Sequence, residues 1–205
     1  MHDDTTIVFG GSFDPPHLAH EAIIRQLLKI RKVARVLVVP SNSPPHKTPI
    51  LPFWQRVEMC RRAFDDLDDR VRVLDIETFI TGTSYTCVMV NMLPPEFAPF
   101  TLVLGTDEAR SLPYWRSPEI VLEKAEIIIA ERPGCKQLTQ KEIEAMELPK
   151  DAVDVLLRAG RFALSDSLDI SSTEVRDMIV KIDRSWKELV HPAVAQYIED
   201  RTLYY

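Results

Sequence analysis

Two histidines three residues apart, His17 and His20, stand just after the run Gly10-Gly11-Ser12-Phe13-Asp14-Pro15-Pro16. On the first turn of a helix, residues i and i+3 face the same way. Uncommitted N–H groups and the positive end of the helix dipole make such a turn a binding place for anions. Two imidazoles added there can hydrogen-bond a phosphate and offset charge as it develops. Gly10 and Gly11 let the backbone approach a ligand closely. Pro15 pushes Asp14 toward an extended conformation that suits a helix N-cap, and a proline near the first helical position forfeits no bond. Zinc ligation or ordinary surface histidines are the rival readings; no third ligand sits at a plausible spacing, so no metal site on the protein is expected. The run is neither G-x-G-x-x-G nor a Gly-Lys-Ser/Thr phosphate loop, which disfavours those nucleotide folds.

A second group lies far along the chain, at Asp169-Ile170-Ser171-Ser172-Thr173-Glu174-Val175-Arg176. Ser and Thr there can cap a helix, and Glu174 follows Ser171 by three, as in a capping box. Arg176 is i,i+4 from Ser172 and shares its face. A hydroxyl, helix amides and a guanidinium together make a clamp for a triphosphate; read blandly, the same residues are only a well-capped helix.

These groups need a frame. Thr6-Ile7-Val8-Phe9, Val36-Leu37-Val38-Val39, Leu102-Val103-Leu104 and Ile127-Ile128-Ile129 are short, nearly continuous apolar runs. Such runs predict strands buried on both faces of a parallel sheet. Residues 71–76 are more mixed and read as an edge strand, and Phe162-Ala163-Leu164 as a late one. Helical spacing joins Ala22, Ile23, Leu27 and Ile30, and again Phe53, Val57, Cys60 and Phe64. Residues 139–160 read as helical and poorly amphipathic, followed by helices near 172–181 and 192–201. Alternation of strand and helix predicts an α/β fold: a doubly wound, mostly parallel, five- or six-stranded Rossmann-like sheet with a helical C-terminal tail. Residues 1–205 are read as one domain, with about 166–205 as a helical subregion. The unusual residues then fall just past the carboxyl ends of strands, at 10–20, 40–47, 105–115 and 131–134, where open α/β sheets bind ligands.

Composition narrows the ligand. The 205 residues are 45% hydrophobic and 27% charged, enough for a core without staples. Cys60, Cys87 and Cys135 are odd in number and widely spaced, which argues against a disulfide framework. Net charge is −6, with 25 basic and 31 acidic residues and no basic run, so nucleic acid is not an expected partner. No stretch approaches the ~20 apolar residues of a membrane span, and a cytoplasmic location is expected. Small phosphorylated molecules held by a few local cations and amides fit best. The sequence leaves open whether the chain forms a homo-oligomer.

At this point a resemblance becomes specific. Residues 10–20 resemble the H-x-G-H motif of the nucleotidyltransferase superfamily, and Ile170–Arg176 its I-S-S-T-x-x-R motif. With Pro44-Pro45-His46-Lys47, Ser84-Tyr85-Thr86, Gly105-Thr106-Asp107, Trp115, Arg132-Pro133-Gly134 and Val194-Ala195-Gln196-Tyr197-Ile198, the chain is similar to the bacterial nicotinate-nucleotide adenylyltransferases along nearly its whole length. The resemblance implies that the phosphate of nicotinate mononucleotide attacks the α-phosphorus of ATP, giving nicotinate adenine dinucleotide and pyrophosphate. It implies catalytic roles for His17, His20, Lys47 and Arg176. Gly10, Gly11, Ser12, Phe13, His17, His20, Ser172, Thr173 and Arg176 would hold ATP. His46, Lys47, Ser84, Tyr85, Thr86, Asp107, Trp115, Arg116 and Arg132 would hold the mononucleotide, and Mg²⁺ would ride on the ATP phosphates. Trp115 would stack on the pyridine ring, or serve as a core aromatic; Asp107 would hold the sugar, cap a helix, or do both. Two departures stand out. Ala19 replaces the motif glycine, and its methyl is expected to narrow the space beside the nucleotide. Cys87-Val88 follow Thr86 where the family commonly has an apolar residue and Asp. Nicotinamide mononucleotide and phosphopantetheine are the rival acceptors, and a non-catalytic nucleotide sensor is the rival of another class.

Overall fold

The computed structural model describes residues 5–30, 32–131, 136–163 and 169–205. Six strands, β1 (Thr5–Gly11), β2 (Val33–Pro40), β3 (Val71–Val73), β4 (Phe100–Gly105), β5 (Ala125–Glu131) and β6 (Gly160–Ala163), form one sheet in the order β3-β2-β1-β4-β5-β6. Every pairing is parallel. The apolar runs form the central strands, residues 71–73 form one edge, and the late strand forms the other; Leu164 lies outside the described residues.

Strand order reverses between β1 and β4, so the chain winds first to one side of β1 and then to the other. Alternate residues of each strand point to opposite faces, and each face has its own core. Ile7, Phe9, Val36, Val38 and Val103 pack on one side with helices α1 (Leu18–Leu27), α2 (Phe53–Phe64), α8 (Ser172–Val180) and α9 (Pro192–Asp200). Val8, Leu37, Val39, Leu102, Leu104 and Ile129 pack on the other with α3 (Thr86–Met92), α5 (Pro118–Lys124), α6 (Gln140–Glu144) and α7 (Lys150–Leu157); the short α4 (Thr106–Ser111) follows β4 directly. Burial on both faces is why these strands lack alternation in the sequence.

Several local expectations change. Asp14 is not a helix cap: α1 begins at Leu18 with His17 at the N-cap position. Phe13 takes a left-handed φ of 48° and drives its ring into the core, which turns Asp14 away from the helix. That ring also accounts for one glycine, since a Cβ on Gly11 would lie 3.0 Å from it; one on Gly10 would meet nothing closer than 3.9 Å. Helix α1 ends at Leu27, leaving Ile30 exposed. Residues 139–160 are two short helices broken before Lys150, with Ile143, Ala152 and Leu156 buried. Cys60 and Cys87 are buried free thiols. Among the described residues no helix is long and apolar enough to cross a membrane.

The largest fully buried side chain is charged. Arg56, 1% exposed, sits on the apolar stripe of α2 with Val57, Cys60 and Phe64. Its Nε donates to the Leu51 carbonyl at 3.1 Å, and its Nη atoms donate to the carbonyls of Ser12 (2.7 Å), Ser41 (2.6 Å) and Asn42 (3.0 Å). Burial pulls its pKa down, and the nearby Asp14 charge opposes that. One guanidinium therefore ties the loop after β1 to the loop after β2. Arg56→Met removes the donor and strands these carbonyls, each at a cost of about 1–3 kcal/mol. Urea unfolding is expected to register a loss of roughly 3 kcal/mol or more; a loss under ~1 kcal/mol, the size of a single ordinary hydrogen bond, would mean that the clamp does not hold the loops.

Candidate active site

The carboxyl ends of β1, β2 and β4 open into a cavity of about 1180 Å³ at the point where strand order reverses. Its floor is Gly10, Gly11, Val39, Leu102, Val103 and Leu104; its walls come from the loops expected from the sequence. Of the residues expected at ATP, Gly10, Gly11, Ser12, Phe13, His17, His20, Ser172, Thr173 and Arg176 all line it. Of those expected at the mononucleotide, His46, Lys47, Ser84, Tyr85, Thr86, Trp115 and Arg116 do so. Arg132 lies outside the described residues. Asp107 does not line the cavity. Its carboxylate is 78% exposed and pairs with Arg110 at 3.2 Å, because it stands one residue inside α4, whose N-cap is Gly105. The acid of α4 at the cavity wall is Glu108.

The two histidines stack, with ring centroids 3.7 Å apart. The His17 N–H donates to Nδ1 of His20 at 3.2 Å. That contact engages Nδ1 of His20 as an acceptor. Its ring lies edge-on to Phe13, 4.9 Å between centroids, and the left-handed Phe13 thereby fixes the histidine's orientation. Ala19 is buried in the core with Phe13 and Ile23 and does not line the cavity. Its methyl is therefore not part of the cavity wall.

The second motif closes on the first. Ser171 caps α8, its Oγ accepting from the Glu174 N–H at 3.1 Å. The Ser172 hydroxyl donates to the Pro15 carbonyl at 2.8 Å, and Arg176 donates to the Asp14 carbonyl at 2.7 Å and to Thr173 Oγ1 at 3.1 Å. More than 150 residues of chain are thus bridged at two adjacent carbonyls, which sets the guanidinium at the wall of the histidine turn.

On the other side, Trp115 donates from Nε1 to Ser111 Oγ at 3.0 Å, which holds its ring at the wall. The Arg116 guanidinium lies over the Tyr85 ring, 4.8 Å from its centroid. Cys87 is buried and Val88 partly buried against the second core, so the departure after Thr86 serves packing. The cationic or imidazole groups at the wall are His17, His20, His46, Lys47, Arg116 and Arg176, against three acids: Asp14, Glu77 and Glu108. Asp14 is fully engaged in hydrogen bonds. Cationic and imidazole groups thus outnumber acids at this cleft of an acidic protein, which suits an anionic ligand.

Three residues that hold this arrangement were not singled out from sequence. Arg56 is legible only as an arginine inside an apolar stripe. Glu77, 5% exposed, accepts from the Asn42 N–H at 2.7 Å and ties the second loop to Ser84, whose Oγ accepts from the Ser43 N–H at 3.0 Å. Tyr204 donates to Asp14 Oδ1 at 2.6 Å; nothing in its sequence neighbourhood marks it.

With the geometry in place, comparison with known proteins is informative. The family model described as cytidylyltransferase-like matches residues 8–178. A relative in Shouchella clausii, named a "probable nicotinate-nucleotide adenylyltransferase", is 31% identical, covering 96% of this chain and 95% of its own. One of the same name in Salinibacter ruber is 31% identical, covering 98% and 97%. Among solved structures, the Plasmodium falciparum nicotinic acid mononucleotide adenylyltransferase complexed with NaAD superposes with a TM-score of 0.75 at 20% identity, covering 99% of this chain and 98% of that one. The last likeness bears on the fold alone.

Glu77 yields a test of the loop geometry. Burial raises its pKa above the ordinary 4.5, opposed by hydrogen bonds from Asn42 and Ser84 and by Arg56. A carboxyl raised on folding binds its proton more tightly in the native state. Its contribution is therefore fully present below pH 4.5 and is lost as pH rises through the raised value. Glu77→Gln keeps the size and an acceptor for Asn42, so the variant is expected to gain stability relative to the parent as pH climbs from about 4 to about 7. Denaturant unfolding across that range checks it; parallel pH profiles for the two proteins would refute it.

Proposed function

The chain belongs to the cytidylyltransferase-like family, and from that membership we propose that it transfers the adenylyl group of ATP to nicotinate mononucleotide. The products are nicotinate adenine dinucleotide and pyrophosphate, a step of NAD biosynthesis carried out in the cytoplasm. The observation that carries the reading is the convergence of the histidine turn and the Ser172–Arg176 end at the switch point of the sheet, bridged through the Asp14 and Pro15 carbonyls. The relatives' names support the choice of acceptor.

In this reading residues 1–205 act as one nucleotidyltransferase domain, with about 166–205 completing the ATP site. The triphosphate lies along Gly10–Phe13 and the start of α1. His17 and His20 hydrogen-bond its phosphates and stabilise charge on the α-phosphoryl group, while Ser172, Thr173 and Arg176 hold the pyrophosphate that leaves. His46 and Lys47 reach in from the loop after β2. A mononucleotide phosphate oxygen attacks the α-phosphorus as the bond to pyrophosphate breaks. Positioning and charge stabilisation carry such a reaction without a protein nucleophile. Mg²⁺ would be carried by the ATP phosphates and would offset their charge, since it commonly keeps phosphate and water ligands. Trp115 stacks on the pyridine, Ser84 and Tyr85 shape the wall, and backbone amides of Thr86 and Arg116 receive the carboxylate. Donors of that kind favour nicotinate over nicotinamide, because charge-assisted hydrogen bonds are stronger.

The decisive assay follows pyrophosphate release from ATP and Mg²⁺ with nicotinate mononucleotide, nicotinamide mononucleotide or phosphopantetheine. Release is expected with the first; release with none of them rejects the enzyme reading, and a preference of about tenfold for nicotinamide mononucleotide (~1.4 kcal/mol) rejects the acceptor. His20→Ala is expected to lower kcat by about 10²–10³, the cost of one donor to developing charge; an unchanged kcat removes it from the mechanism. Trp115→Ala should raise KM for the mononucleotide more than KM for ATP, and the opposite order would displace the stacking assignment.

A further inference from the structure

The penultimate residue of the chain reaches the site. Tyr204 donates its hydroxyl to Asp14 Oδ1 at 2.6 Å across 190 residues of sequence. The other oxygen of the same carboxylate, Oδ2, accepts the backbone N–H of Ile50 at 2.6 Å. Ile50 belongs to the loop that carries His46 and Lys47 to the cavity wall. A carboxylate is a rigid plane, so a donor fixed on one oxygen sets where the other can accept. The buried Asp14 also lies within the field of Arg56.

The backbone bears signs of what this contact requires. Thr202 and Tyr204 have left-handed φ values of 51° and 67°, and Phe13, next to Asp14, has 48°. Residues with a Cβ, bulky ones above all, disfavour that region, so surrounding contacts must over-determine it. Leu203, buried in the core, anchors the turn, and the hydroxyl is the one side-chain polar atom that Tyr204 brings to it. Burial and the Asp14 charge push the hydroxyl's pKa upward, so it stays a donor throughout the working range and acts as a fixed strut.

We propose that Tyr204 is a positioning residue: through the Asp14 carboxylate it holds the loop bearing His46 and Lys47 against the histidine turn in the geometry that phosphoryl chemistry needs. The kinetic part rests on the adenylyl transfer proposed above; the structural part does not. The test is Tyr204→Phe in the full chain, which keeps the ring and removes only the hydroxyl. Native-state hydrogen exchange is expected to speed at the Ile50 amide by about tenfold or more, while core amides such as Val8 and Ile129 slow or speed little. With substrates, kcat is expected to fall by about tenfold with KM for ATP nearly unchanged, as for a misplaced reacting group. In an Asp14→Ala background, which removes both acceptor oxygens, removing the hydroxyl should add little further loss. Unchanged exchange at Ile50, or an acceleration shared equally by Val8 and Ile129, overturns the proposal, the latter because it reports only global destabilisation. If the parent protein releases no pyrophosphate with any acceptor, the reaction reading fails, and exchange at Ile50 still decides whether Tyr204 holds the loop.

Discussion

A buried guanidinium organises the active edge of this protein. A charge the size of Arg56 cannot leave water without partners, and here the partners are four backbone carbonyls from the loops after β1 and β2. Desolvation works against it, and the full set of hydrogen bonds is what makes burial tolerable. The consequence is geometric. Loops that follow adjacent parallel strands have no ladder of their own, and a planar fork with fixed donor directions sets their separation. Lysine, a single point charge, could not span them.

From that clamp the rest of the site can be traced. Next to Ser12, Phe13 takes its left-handed turn, its ring fills the space above Gly11, and it meets the His20 ring edge-on. With Ser41 and Asn42 held, Glu77 and Ser84 can bind the other side of the same loop, which brings the Tyr85–Thr86 wall to the cavity. The C-terminal helices complete the frame from the core they share with α1 and α2, through Ser172 and Arg176 on the carbonyls of Pro15 and Asp14. The loops at the cleft are thus held by hydrogen bonds to their own backbone carbonyls. Preorganisation of this kind matters where a reaction relies on placing charge, since no reorganisation is then needed as charge develops.

How much of this was legible depends on the length scale of the physics. The central strands could be read because burial on both faces leaves continuous apolar runs such as Ile127–Ile129. The ligand edge could be read because glycines, prolines and histidines cluster after those strands. Short elements could not: α6 and α7 are each about two turns or fewer, too brief for a periodicity to emerge. Asp14 looked like a cap because Asp before Pro commonly is one; Phe13's left-handed turn, a tertiary effect, gave it to Ile50 and Tyr204 instead. Asp107 looked like a ligand because it follows a strand, yet one residue of helical rotation puts it in solvent beside Arg110. Arg56, Glu77 and Tyr204 reach partners up to 44, 35 and 190 residues away in sequence, and no local pattern encodes such pairings.

Ala19 illustrates the same division from the opposite direction. Judged by its motif, the methyl seemed to threaten the nucleotide space, because a motif is read as though all its residues face the ligand. A helix turn has two sides. His17 and His20 are three apart and share the ligand side, whereas position 19 falls between them and faces the core with Ile23. There a methyl adds apolar contact, and alanine also removes the helix cost of glycine, up to about 1 kcal/mol. A departure from a motif therefore has to be judged by the face it occupies. On the core face, Ala19 trades chain freedom for packing and leaves the two imidazoles where the stacked pair requires them.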